Sequence, residues 1–416
     1  MLGSGTIVAT SISELMIRKI LTYVFLSLAM MMSAAEMSDS GIRVSLVTLY
    51  PGSEVYEVYG HTELRVQDSY GDFFFNYGLF DFNSPGFVYR FVKGETDYLC
   101  GAVPAAYATR GYTGRRIVEQ VLNLSAAQAR KVRDLLVVNA MPENATYRYK
   151  FVSDNCATRP RDIIERVLGD SLKYHPEAPS TVSFRQMMHR YNANYAWNQF
   201  GIDLALGADL DTTITYRQQM FAPLVLMDAF SRATVTTAAG TEQPLVASTV
   251  VLSDYPADAA LMPPTPWHRS PLFAALLLLL LVVAISVRDV RRGKINRPFH
   301  TLLYSVYALT GAIIFYLVLI STHEFTSPNY NALWLHPLYV VLAVLVWLRQ
   351  GRQVRQVLFA LHLLNVGWIA VLLVLFATGI VHQAFSLTHY LLMLVPMALS
   401  ASYVYVNRLC NRAKVK

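Results

Sequence analysis

The sequence predicts an α+β domain followed by an α-helical bundle of five membrane spans. Three observations carry this. The chain of 416 residues is 54% hydrophobic with a mean hydropathy of +0.34, too apolar for an ordinary soluble protein. Five apolar runs, at 271–287, 301–320, 333–348, 357–377 and about 387–406, fill its C-terminal part, and several have the length of a spanning helix. Ahead of them, residues 42–258 mix strand-like alternation with helical spacing.

Residues 1–35 read as a leader and signal peptide. Arg18 and Lys19 form a basic n-region, 20–32 an apolar h-region and Ser33-Ala34-Ala35 a small-residue cleavage site, with translation expected to begin at Met16. The alternative is an uncleaved anchor helix. Residues 36–260 form the folded domain. Strand-like stretches fall at 44–50, 60–66, 72–77 and 115–122, Ser125 is a good N-cap for a helix over 126–139, and another helix covers 182–190. The stretch 212–249 has no assignable period. A Pro-rich linker at 261–270 leads into the transmembrane domain, 271–416.

The net charge of +7 is explained by topology, since many basic residues lie between apolar runs and no nucleic-acid surface is implied. Arg288, Arg291, Arg292, Lys294 and Arg297 follow the first run. Arg349, Arg352 and Arg355 follow the third, and Arg408, Arg412, Lys414 and Lys416 end the chain, whereas the other two loops contain no Lys or Arg. The positive-inside rule makes the basic segments and the C-terminus cytoplasmic and puts the domain on the outer side, as a signal peptide also requires. The loop between the second and third runs shares that side. Its His323, Glu324, Asn329, Asn331 and His336 are either merely solvated or orient a lipid head group or substrate beneath the domain. His300, His362, His382 and His389 lie near span ends or inside spans, where ionisable groups are often paired or functional.

The stretch YKFVSDNCATRPRDIIERVL places Cys156 where a strand-like run gives way to a helix, with Ile163, Ile164, Val167 and Leu168 at helical spacing. A cysteine near a helix N-terminus gains thiolate character from unpaired N–H groups and the helix dipole, and Arg159 and Arg161 would add to that field. The alternative is a buried, inert cysteine. The three cysteines, Cys100, Cys156 and Cys410, form neither a disulfide framework nor a zinc cluster. In an oxidising compartment Cys100 could pair with Cys156 and compete with catalysis. A thiol nucleophile needs a base and a group that orients the base. His61, in YGHTELRV, is one base, with His175 and His189 as alternatives. Asn76 could orient its ring, with Asp72 and Asp81 as rivals. Tyr59 and Asn155 could donate to substrate, although Asn155 could equally cap the helix.

YGHTELRV followed by SDNCATRPRD, on a signal-bearing domain ahead of a multi-span region, resembles the Lnb family of Bacteroidetes lipoprotein N-acyltransferases. The resemblance implies a permuted papain-like (NlpC/P60-like) periplasmic domain in which histidine precedes cysteine. It makes Cys156 the nucleophile and His61 the general base, with Asn76 third by position only; Tyr59, Asn155 and Arg159 are further candidates for positioning the oxyanion or substrate. It implies a phospholipid acyl donor, a diacylated lipoprotein acceptor, contact with membrane lipids, and no metal or soluble cofactor, at the bacterial inner membrane. The rival expectations are an envelope thiol hydrolase, either phospholipase or cell-wall peptidase, and a non-catalytic assembly module with a structural Cys156.

Overall fold

The computed structural model describes residues 41–110, 112–348 and 351–412, so the expected leader and signal peptide lie outside the described residues. The strands are β1 (Arg43–Leu49), β2 (His61–Asp68), β3 (Gly71–Leu79), β4 (Asp97–Pro104), β5 (Ile117–Leu122), β6 (Thr146–Arg148), β7 (Leu172–Lys173), β8 (Thr234–Thr236), β9 (Glu242–Pro244) and β10 (Val246–Ser253). The domain's helices are α1 (Phe87–Lys93), α2 (Ala105–Ala108), α3 (Ala126–Ala140), α4 (Thr158–Leu168), α5 (Phe184–Tyr191), α6 (Ala196–Ala205), α7 (Tyr216–Gln219) and α8 (Pro223–Arg232). Seven strands form an antiparallel sheet in the order β10-β5-β1-β2-β3-β4-β6, and β7-β8-β9 form a small second sheet.

Alternation explains how the large sheet is covered. Leu46 of β1 pairs with Leu64 of β2, and these residues join Phe75 and Tyr77 in a core packed by Leu136 of α3, Ile164 of α4 and Phe230 of α8. Each such buried side chain contributes roughly 1.5–3 kcal/mol. On the opposite face Val47, Leu49, Phe74 and Ile117 make a smaller cluster under α2 and Tyr112. Ser125 caps α3 through a full capping box with Gln128. The stretch without a readable period holds α7, α8, β8, β9 and the start of β10, elements too short to show one.

Beyond the linker come α9 (Pro271–Arg292), α10 (Arg297–Leu319), α11 (Tyr339–Leu345), α12 (Arg352–Ala377) and α13 (Leu387–Arg412). Among the described residues four of these, all but α11, are long and apolar enough to cross a membrane. The third apolar run, expected as a full span, contains only the short α11. The chain before it is coil that enters the bundle. Trp334 is fully buried there, and Gly311 of α10 lets the His336 backbone pack so closely that an added Cβ would lie 2.5 Å from it. Below the coil, Trp347 donates to Thr301 Oγ1 near the other end of α10 at 2.6 Å. Coil at this depth is tolerable because protein covers it.

The loop after α10 fastens the bundle to the domain. Thr322 N–H donates to Lys93 O at 2.8 Å, and Glu324 accepts from the Val152 N–H at 3.2 Å. Asn329 donates to Leu204 O and Ala205 O, and Asn331 to Asp203 O and Leu204 O, which satisfies carbonyls at the C-terminal end of α6. His323 meets Phe91 O, and His336 stacks on Tyr339 at 4.2 Å. Of these five residues, expected as solvated groups or substrate contacts, His323, Glu324, Asn329 and Asn331 tie the loop to the domain, whereas His336 packs within the bundle, and the amide N–H groups of Asn329 and Asn331 are committed to backbone carbonyls. Asn331→Ala strips three hydrogen bonds from a buried joint, two to α6 carbonyls and one from the Trp334 indole. It is expected to cost about 1–3 kcal/mol, read as a lower thermal midpoint of the detergent-solubilised protein; an unchanged midpoint would contradict the docking role.

Candidate active site

The site begins where Gly60, at φ 82°, turns the chain against Leu49 O and His61 becomes the first residue of β2. His61 and Glu63, two apart on a strand, share a face. Asn76 of β3 lies directly opposite Glu63. His61 Nε2 is 3.0 Å from Asn76 Oδ1. Asn76 Nδ2 donates to Glu63 Oε1 at 2.7 Å, and the Gly78 N–H donates to Asn76 Oδ1 at 2.7 Å. The Tyr112 hydroxyl donates to the same Glu63 oxygen at 3.1 Å. With a carboxylate on one side and an N–H on the other, the amide has one satisfiable orientation. The ring nitrogen facing Oδ1 must then carry the proton, which leaves the lone pair on Nδ1. Gly78 gives the ring room, since a Cβ there would sit 2.6 Å from His61 Cε1.

Cys156 approaches the same strand from the other chain segment. A bridge between Lys150 and Asp154 closes a short turn, and α4 starts two residues after Cys156. The Asn155 side chain accepts from Ala157 and Thr158 N–H at 2.8 and 2.9 Å and donates to Phe151 O and Phe221 O. It therefore serves as a cap, and its amide is not available to a substrate. The backbone N–H groups of Cys156 itself and of Thr62, the residue after His61, lie near the Cys156 sulfur and favour its charged form. Thr62 lies just past Glu63–Asn76, the last β2–β3 pair. Cys100 and Cys156 are separate free thiols, with Cys100 buried and hydrogen-bonded to Tyr77.

The electrostatics differ from the expected thiolate. Burial outweighs the two N–H groups and pushes the Cys156 thiol up to about 11, and burial also pushes His61 down to about 4. The pair therefore rests as thiol and neutral imidazole. Burial raises Glu63 to about 7 despite its hydrogen bonds from Tyr112 and Asn76. Arg159 and Arg161 do not supply the expected positive field. Arg159 is held in two bonds by Asp154, with its guanidinium 3.8 Å over the Tyr147 ring, and Arg161 bonds Asp162 and Arg217 O. The nearby cation is Arg115, buried, anchored to Tyr50 O and Glu57, and felt by Cys156, His61 and Glu63 alike.

The remaining expected residues have other partners. Tyr59 packs on Phe151 and Tyr191, and its oxygen accepts from Asn192 at 2.8 Å. His175 meets Thr234, and His189 meets Asp203. Asp72 is taken by Arg65, and Asp81 accepts from the Asn83 N–H. Glu63, Tyr112 and Arg115 escaped the sequence reading. Only Glu63 carried a local signal, its two-residue spacing from His61.

Fold and site together define a membrane protein whose sheet-rich domain brings a cysteine to the strand of a histidine oriented by an amide. Residues 33–190 match the family model described as the Lnb N-terminal periplasmic domain, and residues 264–409 match the Lnb transmembrane domain. The chain belongs to the Lnb family. No curated protein and no solved structure matches it.

A thiol raised to about 11 holds roughly 0.1% thiolate at pH 8, about two orders of magnitude below an ordinary cysteine. Iodoacetamide should therefore alkylate Cys156 about a hundredfold more slowly than a free thiol at pH 8, with the rate still rising tenfold per unit up to pH 10. A plateau by pH 7 would show a resting thiolate and contradict this electrostatics.

Proposed function

We propose that the protein is a lipoprotein N-acyltransferase that moves an acyl chain from a membrane phospholipid, through a Cys156 thioester, to the α-amine of a lipoprotein's N-terminal diacylglyceryl-cysteine. The observation that carries this reading is the His61–Asn76–Glu63 chain on the strand whose Thr62 N–H lies near the Cys156 sulfur, on a domain docked to a membrane bundle. Membership of the Lnb family supports the same reading.

As the donor ester reaches Cys156, His61 Nδ1 takes the thiol proton while sulfur bonds the carbonyl carbon. A neutral resting pair suits this, because the proton moves only when the carbonyl is present to accept the sulfur electrons. The oxyanion is received by the backbone N–H groups of Cys156 and Thr62. Collapse breaks the ester C–O bond, and the imidazolium returns its proton to the departing lyso-lipid oxygen. The lipoprotein amine then attacks the thioester, His61 removes an amine proton, and the C–S bond breaks to leave an amide and a reprotonated thiol. Asn76 holds the ring throughout. The residues named suffice without a metal or cofactor. The protein works at the inner membrane, with its domain periplasmic and its C-terminus cytoplasmic.

The test is to incubate detergent-purified protein with phospholipid alone and to measure its intact mass and that of the Cys156 peptide. An acyl adduct released by neutral hydroxylamine is expected, absent in Cys156→Ala and formed at least about a thousandfold more slowly in His61→Ala. Intact lipid with no adduct would contradict the reading. Free fatty acid released stoichiometrically, with no transfer to a lipoprotein acceptor, would make the protein a lipase.

A further inference from the structure

The segment 80–93 carries an exposed apolar surface on a short helix. Its helix α1 runs between Gly86 and Gly94, both at positive φ, and buries none of its seven residues. Val88, Tyr89 and Phe91 are 73%, 60% and 50% exposed, and Phe82 beside them is 55% exposed. In water such a patch is unfavourable, and a contiguous one marks an interaction surface. Its location says what covers it. Ser321 and Thr322 donate to Val92 O and Lys93 O, and an added Cβ on Gly94 would lie 2.6 Å from the His323 N. Ser321 and Thr322 directly follow the end of α10, where Leu319 and Ile320 are exposed as lipid-facing residues are. The helix therefore lies level with the end of a membrane span, on the side of the domain, where aromatic side chains partition favourably.

From this patch a continuous row of rings leads inward. Phe91 stacks on Phe87, Phe87 on Phe80, Phe80 on Tyr98 at 4.7 Å, and Tyr98 on Tyr149 at 4.1 Å. Except for exposed Phe91, these rings are half-buried. Tyr149 immediately precedes Lys150, whose bridge to Asp154 sets Tyr149 across from the Asn155-Cys156 pair. Tyr98 and Tyr149 both lie close enough to Cys156 that a thiolate there would push their hydroxyls up.

We propose that the segment 80–93 is seated in the membrane leaflet that faces the domain, and that the row of rings from Phe91 to Tyr149 is the apolar surface along which a phospholipid acyl chain reaches Cys156. The second part rests on the acyltransferase reading; the first does not. Apolar rings suit a chain that must leave the bilayer without being exposed to water, and their flat faces set no strict chain register.

The test uses the full-length protein reconstituted in phosphatidylethanolamine–phosphatidylglycerol vesicles, with benzoylphenylalanine in place of Val88. Irradiation is expected to yield a covalent phospholipid adduct at that position. Absence of a lipid adduct overturns the membrane seat even if Cys156 is acylated normally, and its presence supports the seat even if Cys156 is never acylated. In the same vesicles, Val88→Asp combined with Phe80→Ser should slow Cys156 acylation by the bilayer phospholipid at least tenfold more than acylation by a water-soluble short-chain ester. Equal slowing with both donors would overturn the acyl-chain path while leaving the acyltransfer chemistry in place.

Discussion

Asn76 sits between a buried carboxylate and a backbone N–H, so its amide satisfies its partners in one orientation only, and much of the site depends on that choice. The orientation puts the imidazole proton on Nε2 and leaves Nδ1 as the base. Leaving the Glu63 carboxylate unpaired in that interior would carry a large desolvation cost, so Asn76 and Tyr112 stabilise it while it holds Asn76 in turn. The constraint also explains why strands position the base side of the site. A cross-strand pair at fixed register holds Glu63 and Asn76 opposite each other with less freedom than a loop would allow.

The nucleophile is placed by a different device. Asn155 spends both ends of its amide on capping α4 and on two carbonyls, which fixes the backbone on which Cys156 sits. Burial then favours the neutral thiol over the thiolate. A cysteine near a helix start is not automatically a thiolate: desolvation competes with the N–H groups, and here it is the larger effect. The docking loop extends the same order to the bundle, because Glu324 holds Val152, four residues before Cys156.

What the sequence made legible was mostly local. Alternation marked the strand carrying His61, helical spacing marked the helix after Cys156, and Ser125 announced its capping box. What it hid depends on distant partners. That Asn76 faces Glu63 is a matter of strand register, and Arg115 reaches the site through Tyr50 and Glu57, more than fifty residues upstream. The polar loop after α10 has the composition of a solvated surface, yet Asn329 and Asn331 find their acceptors about 125 residues away, at the end of α6. Hydropathy counted the run 333–348 as a full span because Trp334 and its neighbours are apolar; whether such residues face lipid or fill a bundle as coil is decided by packing.

A double-mutant cycle on single-turnover acylation of Cys156 tests most directly whether His61 and Asn76 act as one unit. Rates would be measured for the wild type, His61→Ala, Asn76→Ala and the double variant, with folding checked by thermal midpoint. If Asn76 acts only by orienting the ring, its loss should cost about ten- to a hundredfold in the presence of His61 and almost nothing in its absence. Equal costs in both backgrounds would mean that the two residues act independently, and would contradict the arrangement on which the mechanism rests.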